Sequence, residues 1–246
     1  MLRIIFAGLI CIVVFFISLT YIPIYLLLFF NKKLQNKYLW LITSSWGWLI
    51  VSLTGSKVLI EGKENIPEEG SFLFIGNHQS HVDIPVLLGF LPKTKGFIAK
   101  KELTLVPFIN FWIPNLGGAF IDRKNIRKSI EEVDKIIKSL NNRYTSLVLF
   151  PEGHRSQGSP MKHFKPGSIK LAVRENVNII PFSIEGTYKI LEGYNKKAEK
   201  NPNIKLTVHK PIYTANLTET EKNNIVNILE DTVSSGLSDK YKLKKE

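Results

Sequence analysis

Two histidines and a carboxylate crowd one short polar stretch, "NHQSHVD" (Asn77–Asp83), with apolar "FLFIG" before it and "IPVLL" after it. A neutral imidazole has a reference pKa of about 6.5, so His78 can take a proton from an alcohol near neutral pH. A carboxylate beside it, Asp83, can fix the ring tautomer and stabilise the imidazolium that forms. Spacing decides whether the two can meet. On a continuous helix five residues turn the chain through about 500°, which leaves the side chains about 140° apart. The pair therefore needs a loop. His78 would lie past a buried strand, and a helix would start near Asp83 or Ile84, with Pro85 in its first turn. Two other uses of the same residues compete. Asp83 at a helix start is also a plain cap candidate. His78, His81 and Asp83 form a partial metal-ligand set. His154, His163 and His209 supply no second close pair, and no Gly-x-Ser-x-Gly elbow offers a serine nucleophile.

Cations recur at other strand ends. "GGAFIDR" places Arg123 just past a predicted strand, and "FPEGHRS" places Glu152, Gly153 and Arg155 past another. "FKPG" adds Lys165, and Lys100 stands in "AKKEL". A lone arginine in a loop is usually a surface charge. Several basic groups at equivalent strand ends point to a converging phosphate site.

The elements that must hold these groups are legible as alternating strands and helices. Strands are predicted at "KVLIEG" (57–62), "SFLFIG" (71–76), "KGFIAK" (95–100), "GAFID" (118–122), "SLVLF" (146–150), "VNIIPFSIEG" (177–186, interrupted by Pro181) and "NIKLTVHK" (203–210). Ile126, Ile130, Val133, Ile137 and Leu140 fall at helical spacing among charged residues. A second helix is "SIKLAVREN", and a third follows Thr218, with Glu221 completing a capping box. The fold class is α/β: a single domain with a mixed sheet flanked by helices, over residues 54–236. Open α/β sheets bind ligands beyond the carboxyl ends of their strands, where His78 and the basic loops fall. "LVPFINFWIPNLGG" (105–118) is apolar for a connection, suited either to core or to lipid contact.

An N-terminal membrane-anchoring segment, residues 1–53, precedes that domain. No charge interrupts Ile4 to Phe30. A helix of that length spans about 40 Å, against about 30 Å of hydrocarbon. A second apolar run, Tyr38–Leu53, carries Trp40, Trp46 and Trp48, a residue type favoured at membrane interfaces. A spanning helix with an interfacial partner and a same-side helical hairpin both fit. Arg3, Lys32, Lys33, Lys37 and Lys57 put positive charge at every boundary, so loop charge sets no orientation. Residues 237–246 read as a basic, solvated tail. The net charge is +12, from 33 basic and 21 acidic residues, which suits an anionic partner such as lipid headgroups. The basic residues are scattered, with no zinc-finger spacing or RNP-like strand, which argues against nucleic acid. The single cysteine, Cys11, excludes an intrachain disulfide and a cysteine metal site.

Taken together, "NHQSHVD", "GGAFIDR", "FPEGHRS" and "IIPFSI" resemble, in order, the four sequence blocks of the 1-acylglycerol-3-phosphate acyltransferase family of membrane glycerolipid acyltransferases. The resemblance implies acyl transfer from a fatty acyl thioester to lysophosphatidic acid. His78 would be general base and Asp83 its partner. Arg123 and Arg155 would hold phosphate, Glu152 the glycerol hydroxyl region or a neighbouring arginine, and Gly153 a close backbone approach. Lys100 is a further phosphate candidate. No cofactor or metal is implied beyond the donor substrate, acyl-CoA or acyl carrier protein. The expected location is the bacterial inner membrane, with the catalytic domain on the cytoplasmic face. One departure stands out: the third block usually has threonine where this chain has His154. That leaves another lysophospholipid, a lyso-aminolipid or glycerol 3-phosphate as alternative acceptors. A metal-dependent lipid hydrolase and a non-catalytic lipid-binding protein are the alternatives of other classes.

Overall fold

The computed structural model describes residues 21, 23–24, 26–28, 30–106, 109–122, 125–142, 144–191 and 201–244. Most of the first apolar run therefore lies outside the described residues, and so does Arg123. Seven strands form one sheet in the order β1-β7-β6-β2-β5-β3-β4. They are β1 (Lys57–Glu61), β2 (Leu73–Gly76), β3 (Lys95–Lys100), β4 (Ala119–Ile121), β5 (Ser146–Leu149), β6 (Ile179–Glu185) and β7 (Asn203–Val208). Five of them, from β6 across to β4, run parallel. β7 pairs antiparallel with β6 and parallel with β1, so the sheet is mixed.

Side-chain alternation along each strand builds two cores, because successive residues of a strand face opposite sides of the sheet. Leu73, Ile75, Leu147, Leu149 and Ile179 point to one face, where α4 (Ile126–Ser139), α5 (Pro166–Arg174) and α7 (Glu219–Ser235) pack. Phe74, Val148, Ile180, Phe182 and Ile184 point to the other, against α1 (Lys32–Leu53) and α2 (Asp83–Phe90). Each such side chain, fully buried, contributes about 1.5–3 kcal/mol. α3 (Ile109–Asn115) and the short α6 (Tyr188–Leu191) are two further α-helices. The capping box at Thr218 and Glu221 forms as its sequence pattern requires. The helix predicted from Ile126 also forms, with Ile136, Ile137 and Leu140 buried, but Ile130 is 55% exposed.

Three expectations change on contact with the structure. Pro181 does not interrupt its strand: it aligns with Ile75 of β2 inside a continuous β6. Its carbonyl accepts the His209 N–H, one residue past β7, so the missing proline N–H falls at the margin of that ladder. The basic tail is not wholly solvated, since Leu237 and Tyr241 are buried in the first core. Finally, the packing runs across the boundary drawn at residue 53, because Val51 belongs to the second core and Trp46 packs against it.

That last contact is close. A Cβ on Gly47 of α1 would lie 2.5 Å from the Pro85 carbonyl oxygen, and one on Gly89 of α2 would lie 2.4 Å from the Trp48 nitrogen. The two backbones touch because neither residue has a side chain. No described helix is long and apolar enough to cross a membrane. The outer face of α1 nevertheless exposes Leu34, Leu41 and Trp48, and Leu53 is exposed at its last turn. Gly47→Val should push α1 off α2 at a cost of about 1–3 kcal/mol. Thermal unfolding in detergent should show a lower Tm. An unchanged Tm would mean that the close approach carries no stability.

Candidate active site

The five parallel strands end at one edge of the sheet, and the polar residues singled out above follow those ends. β2 leads into Asn77 and His78, β3 into Lys100, β5 into Glu152, and β6 into Gly186 and Thr187. Asn77 continues β2 by other means. Its side-chain amide donates to the Ile184 carbonyl and its carbonyl oxygen accepts the Ile184 N–H, both at 2.8 Å. The loop is thereby zipped to β6 before it reaches His78.

Asp83 is fully buried at the first position of α2. Its Oδ2 accepts from His78 Nδ1 at 2.7 Å, from the Gln79 N–H at 2.7 Å and from the Ser80 N–H at 3.0 Å. Its Oδ1 accepts the Thr187 hydroxyl. Asp83 therefore bonds residues that precede the helix and caps nothing inside it. A buried carboxylate with this many donors is held as an acceptor, so the hydrogen between it and His78 belongs to ring Nδ1. Nε2 is left as the basic nitrogen. The imidazole stacks on Phe150, with centroids 3.9 Å apart and planes 14° apart, and Phe150 meets Phe182 edge-on. The histidine side chain is 16% exposed. The metal-ligand alternative finds no support in the arrangement: His78 and Asp83 spend their contact on each other, His81 is exposed, and no three His, Cys, Asp or Glu among the described residues are placed to share an ion.

Glu152 braces the histidine loop from the loop after β5. It is 1% exposed and faces inward. Oε1 accepts the His78 N–H at 2.8 Å and Oε2 the Lys162 N–H at 3.0 Å, so both oxygens are engaged by backbone N–H groups. Burial pushes its pKa up to about 7, although both backbone N–H bonds favour the ionised form. Its folded pKa thus exceeds its unfolded one, and stability linked to it falls as pH rises from about 4.5 to about 7. Glu152 locks the backbone of the histidine to the loop after β5. The same loop pairs with the first one through Ser156 N–H to the His78 carbonyl, 2.7 Å, and Gln157 N–H to the Gln79 carbonyl, 3.2 Å.

Along that loop Gly153 has φ +75°, a conformation suited to glycine, and a Cβ there would meet Lys165 Nζ at 2.8 Å. Lys165 thus lies over Gly153, and the close approach at this glycine is by that side chain. Arg155 is half-buried and His154 exposed. Lys100 is exposed at the end of β3, where neighbouring Lys101 pairs with Asp122 past β4 at 3.3 Å. Sequence reasoning missed Thr187, Gln79 and Phe150. Gln79 Oε1 accepts the Gly186 N–H at 2.8 Å and so ties the turn that carries Thr187 to the histidine loop.

Residues 57–185 match the acyltransferase family profile, a span that contains His78, Asp83 and Glu152 and stops just before Thr187. The chain belongs to the acyltransferase family. A 1-acyl-sn-glycerol-3-phosphate acyltransferase of Borreliella burgdorferi is 30% identical over 74% of this chain and 72% of its own length. The Saccharomyces cerevisiae protein of the same name is 31% identical over 68% of this chain and 55% of its own. Among solved structures, the crystal structure of the 1-acyl-sn-glycerophosphate (LPA) acyltransferase PlsC from Thermotoga maritima superposes with a TM-score of 0.71. It is 31% identical and covers 93% of each chain.

Two substitutions separate the roles seen here. Thr187→Val removes the donor to Asp83 Oδ1 at nearly constant volume and should lower kcat about 10-fold, while Thr187→Ser should keep most of it. Serine performing worse than valine would assign Thr187 to packing alone. Glu152→Gln sets an amide NH2 against a backbone N–H. It should cost about 1–3 kcal/mol of stability and lower kcat, with acceptor KM within about two-fold. A large rise in acceptor KM at constant kcat would return Glu152 to the substrate.

Proposed function

We propose that the protein transfers a fatty acyl group from a thioester to the sn-2 hydroxyl of 1-acylglycerol 3-phosphate, giving phosphatidic acid. The observation that carries this reading is the buried Asp83 bonded to His78 Nδ1, which leaves Nε2 at the strand-end edge beside a basic loop. The names of the relatives support the choice of acceptor. His78 Nε2 takes the hydroxyl proton as the oxygen attacks the thioester carbon. A C–O bond forms, the C–S bond breaks, and the imidazolium returns the proton to the leaving thiolate. Asp83 stabilises the transient imidazolium and holds the ring in place. The tetrahedral oxyanion draws on nearby backbone N–H groups. Arg155, Lys165, Lys100 and Arg123 bind the acceptor's phosphate. The donor is acyl-CoA or acyl carrier protein.

The acceptor and the product are lipids, so the site works at a bilayer surface. The exposed apolar stripe of α1 rests on that surface. So do Leu103 and Leu105, the latter 85% exposed, in the turn that follows β3 at the active edge. The membrane is the bacterial inner membrane, with the domain on its cytoplasmic face. The exposed imidazole of His154, on the same loop as Arg155, favours a second reading in which a different lysophospholipid headgroup is preferred.

The test is an assay of purified protein in detergent, with labelled acyl-CoA or acyl carrier protein offered against competing acceptors. Transfer should be fastest to 1-acylglycerol 3-phosphate. His78→Ala should stay folded and lose activity by a factor of about 100–10,000. Preference for another acceptor would overturn the substrate assignment, and full activity in the alanine variant would end the role of His78 as base.

A further inference from the structure

The loop from Pro151 to Lys165 has no helix or strand of its own, yet it carries His154, Arg155 and Lys165. Its inner side is zipped to the histidine loop by the Ser156 and Gln157 bonds described above. Its outer side leans on the end of the chain. The Met161 N–H donates to the Tyr241 carbonyl at 2.8 Å. The Tyr241 and Tyr188 hydroxyls bond each other at 2.8 Å, with ring centroids 5.9 Å apart. The Tyr188 ring lies directly on Gly158, φ +89°, where a Cβ would meet it at 2.4 Å. Phe164 N–H donates to buried Glu230 of α7.

The terminal segment is itself fixed. Leu237 and Tyr241 are each 4% exposed within the first core. Ser238 bonds Glu185, the last residue of β6, through its N–H and its hydroxyl, both at 2.9 Å. The Leu243 N–H donates to Ser234 Oγ. The segment from Gly236 to Leu243 thus forms an outer wall for the loop. Tyr188, next in sequence to the Thr187 that bonds Asp83, joins that wall to the catalytic pair.

We propose that Tyr241, backed by Tyr188, is a positioning residue for acceptor binding, holding the loop of Arg155 and Lys165 in its phosphate-binding form before substrate arrives. This rests on the reading of that loop as the acceptor's phosphate site. A loop ordered in advance avoids an entropic cost at binding, so the effect belongs in acceptor KM. Tyr241 has no place in the chemistry, so kcat should hold.

The experiment uses the full chain in detergent. Tyr241→Ala should raise acceptor KM about 10-fold, with kcat and donor KM within about two-fold. Tyr241→Phe, which loses only the hydroxyl pair, should raise it about 3-fold. Amide hydrogen exchange gives a readout independent of activity. In Tyr241→Ala, residues 156–164 should lose protection while β5 and α5 keep theirs. Unchanged loop exchange with unchanged acceptor KM would overturn the proposal. So would exchange rising across the whole domain with kcat falling at constant KM. Should the wild type acylate no lysophospholipid, the proposed function fails, and the exchange comparison still decides whether Tyr241 holds the loop.

Discussion

Everything at the strand-end edge is arranged around one fully buried carboxylate. An unpaired charge in that position would cost several kcal/mol, and the fold offsets this with four donors drawn from two loops. Two are backbone N–H groups of the loop after β2, one is the Thr187 hydroxyl after β6, and one is His78 Nδ1. Each donor restricts the carboxylate further, and the carboxylate in turn restricts the imidazole. The stack on Phe150 fixes the face of the ring, and Glu152 fixes its backbone. The proposed role of His78 as general base needs this rigidity, because a small displacement of a reacting group costs rate steeply.

The sheet explains why these groups can meet. Parallel strands deliver their following loops to a common edge, so residues more than a hundred positions apart, such as Asp83 and Thr187, become bonded neighbours. Asn77 and Gln79 extend the ladder by side-chain bonds past the last residue of β2, keeping the histidine loop in register with β6. On the opposite side, α2 begins with Asp83 and packs backbone to backbone on α1. In the proposed reaction α1 is also the lipid-facing helix. One rigid contact would then set the height of the catalytic pair above the bilayer.

Much of this was readable in advance, and the reasons differ by residue. The His78–Asp83 pair was legible because strand and helix signals bracket it tightly: "FLFIG" must be a strand, and Pro85 places a helix start. The strands were legible because their short apolar runs are bounded by polar and turn residues. The bonding of Glu152 was not legible, because its position past a strand fixes the loop and not the direction of the carboxylate, which turns inward to two N–H groups. Thr187 was missed because a threonine after a Gly has no signature of its own, and its partner lies on another strand's loop. The lysine-rich C-terminus read as solvent-exposed because charge dominates its composition. Leu237 and Tyr241 are spaced four apart, a one-turn interval too short to register as a pattern, and both are buried. Pro181 argued for a break, whereas the sheet absorbs it where β7 runs out.

The central claim is that buried Asp83 keeps the neutral His78 ring protonated at Nδ1, with Nε2 open as base. It can be read directly by nitrogen-detected NMR of protein labelled with 15N-histidine, in detergent near neutral pH, with His78→Gln used for assignment. The account predicts a ring hydrogen on Nδ1, resonating far downfield through its bond to the carboxylate, and an unprotonated Nε2. A neutral ring carrying its hydrogen on Nε2 would contradict it, since such an imidazole could not accept the alcohol's proton at the open edge.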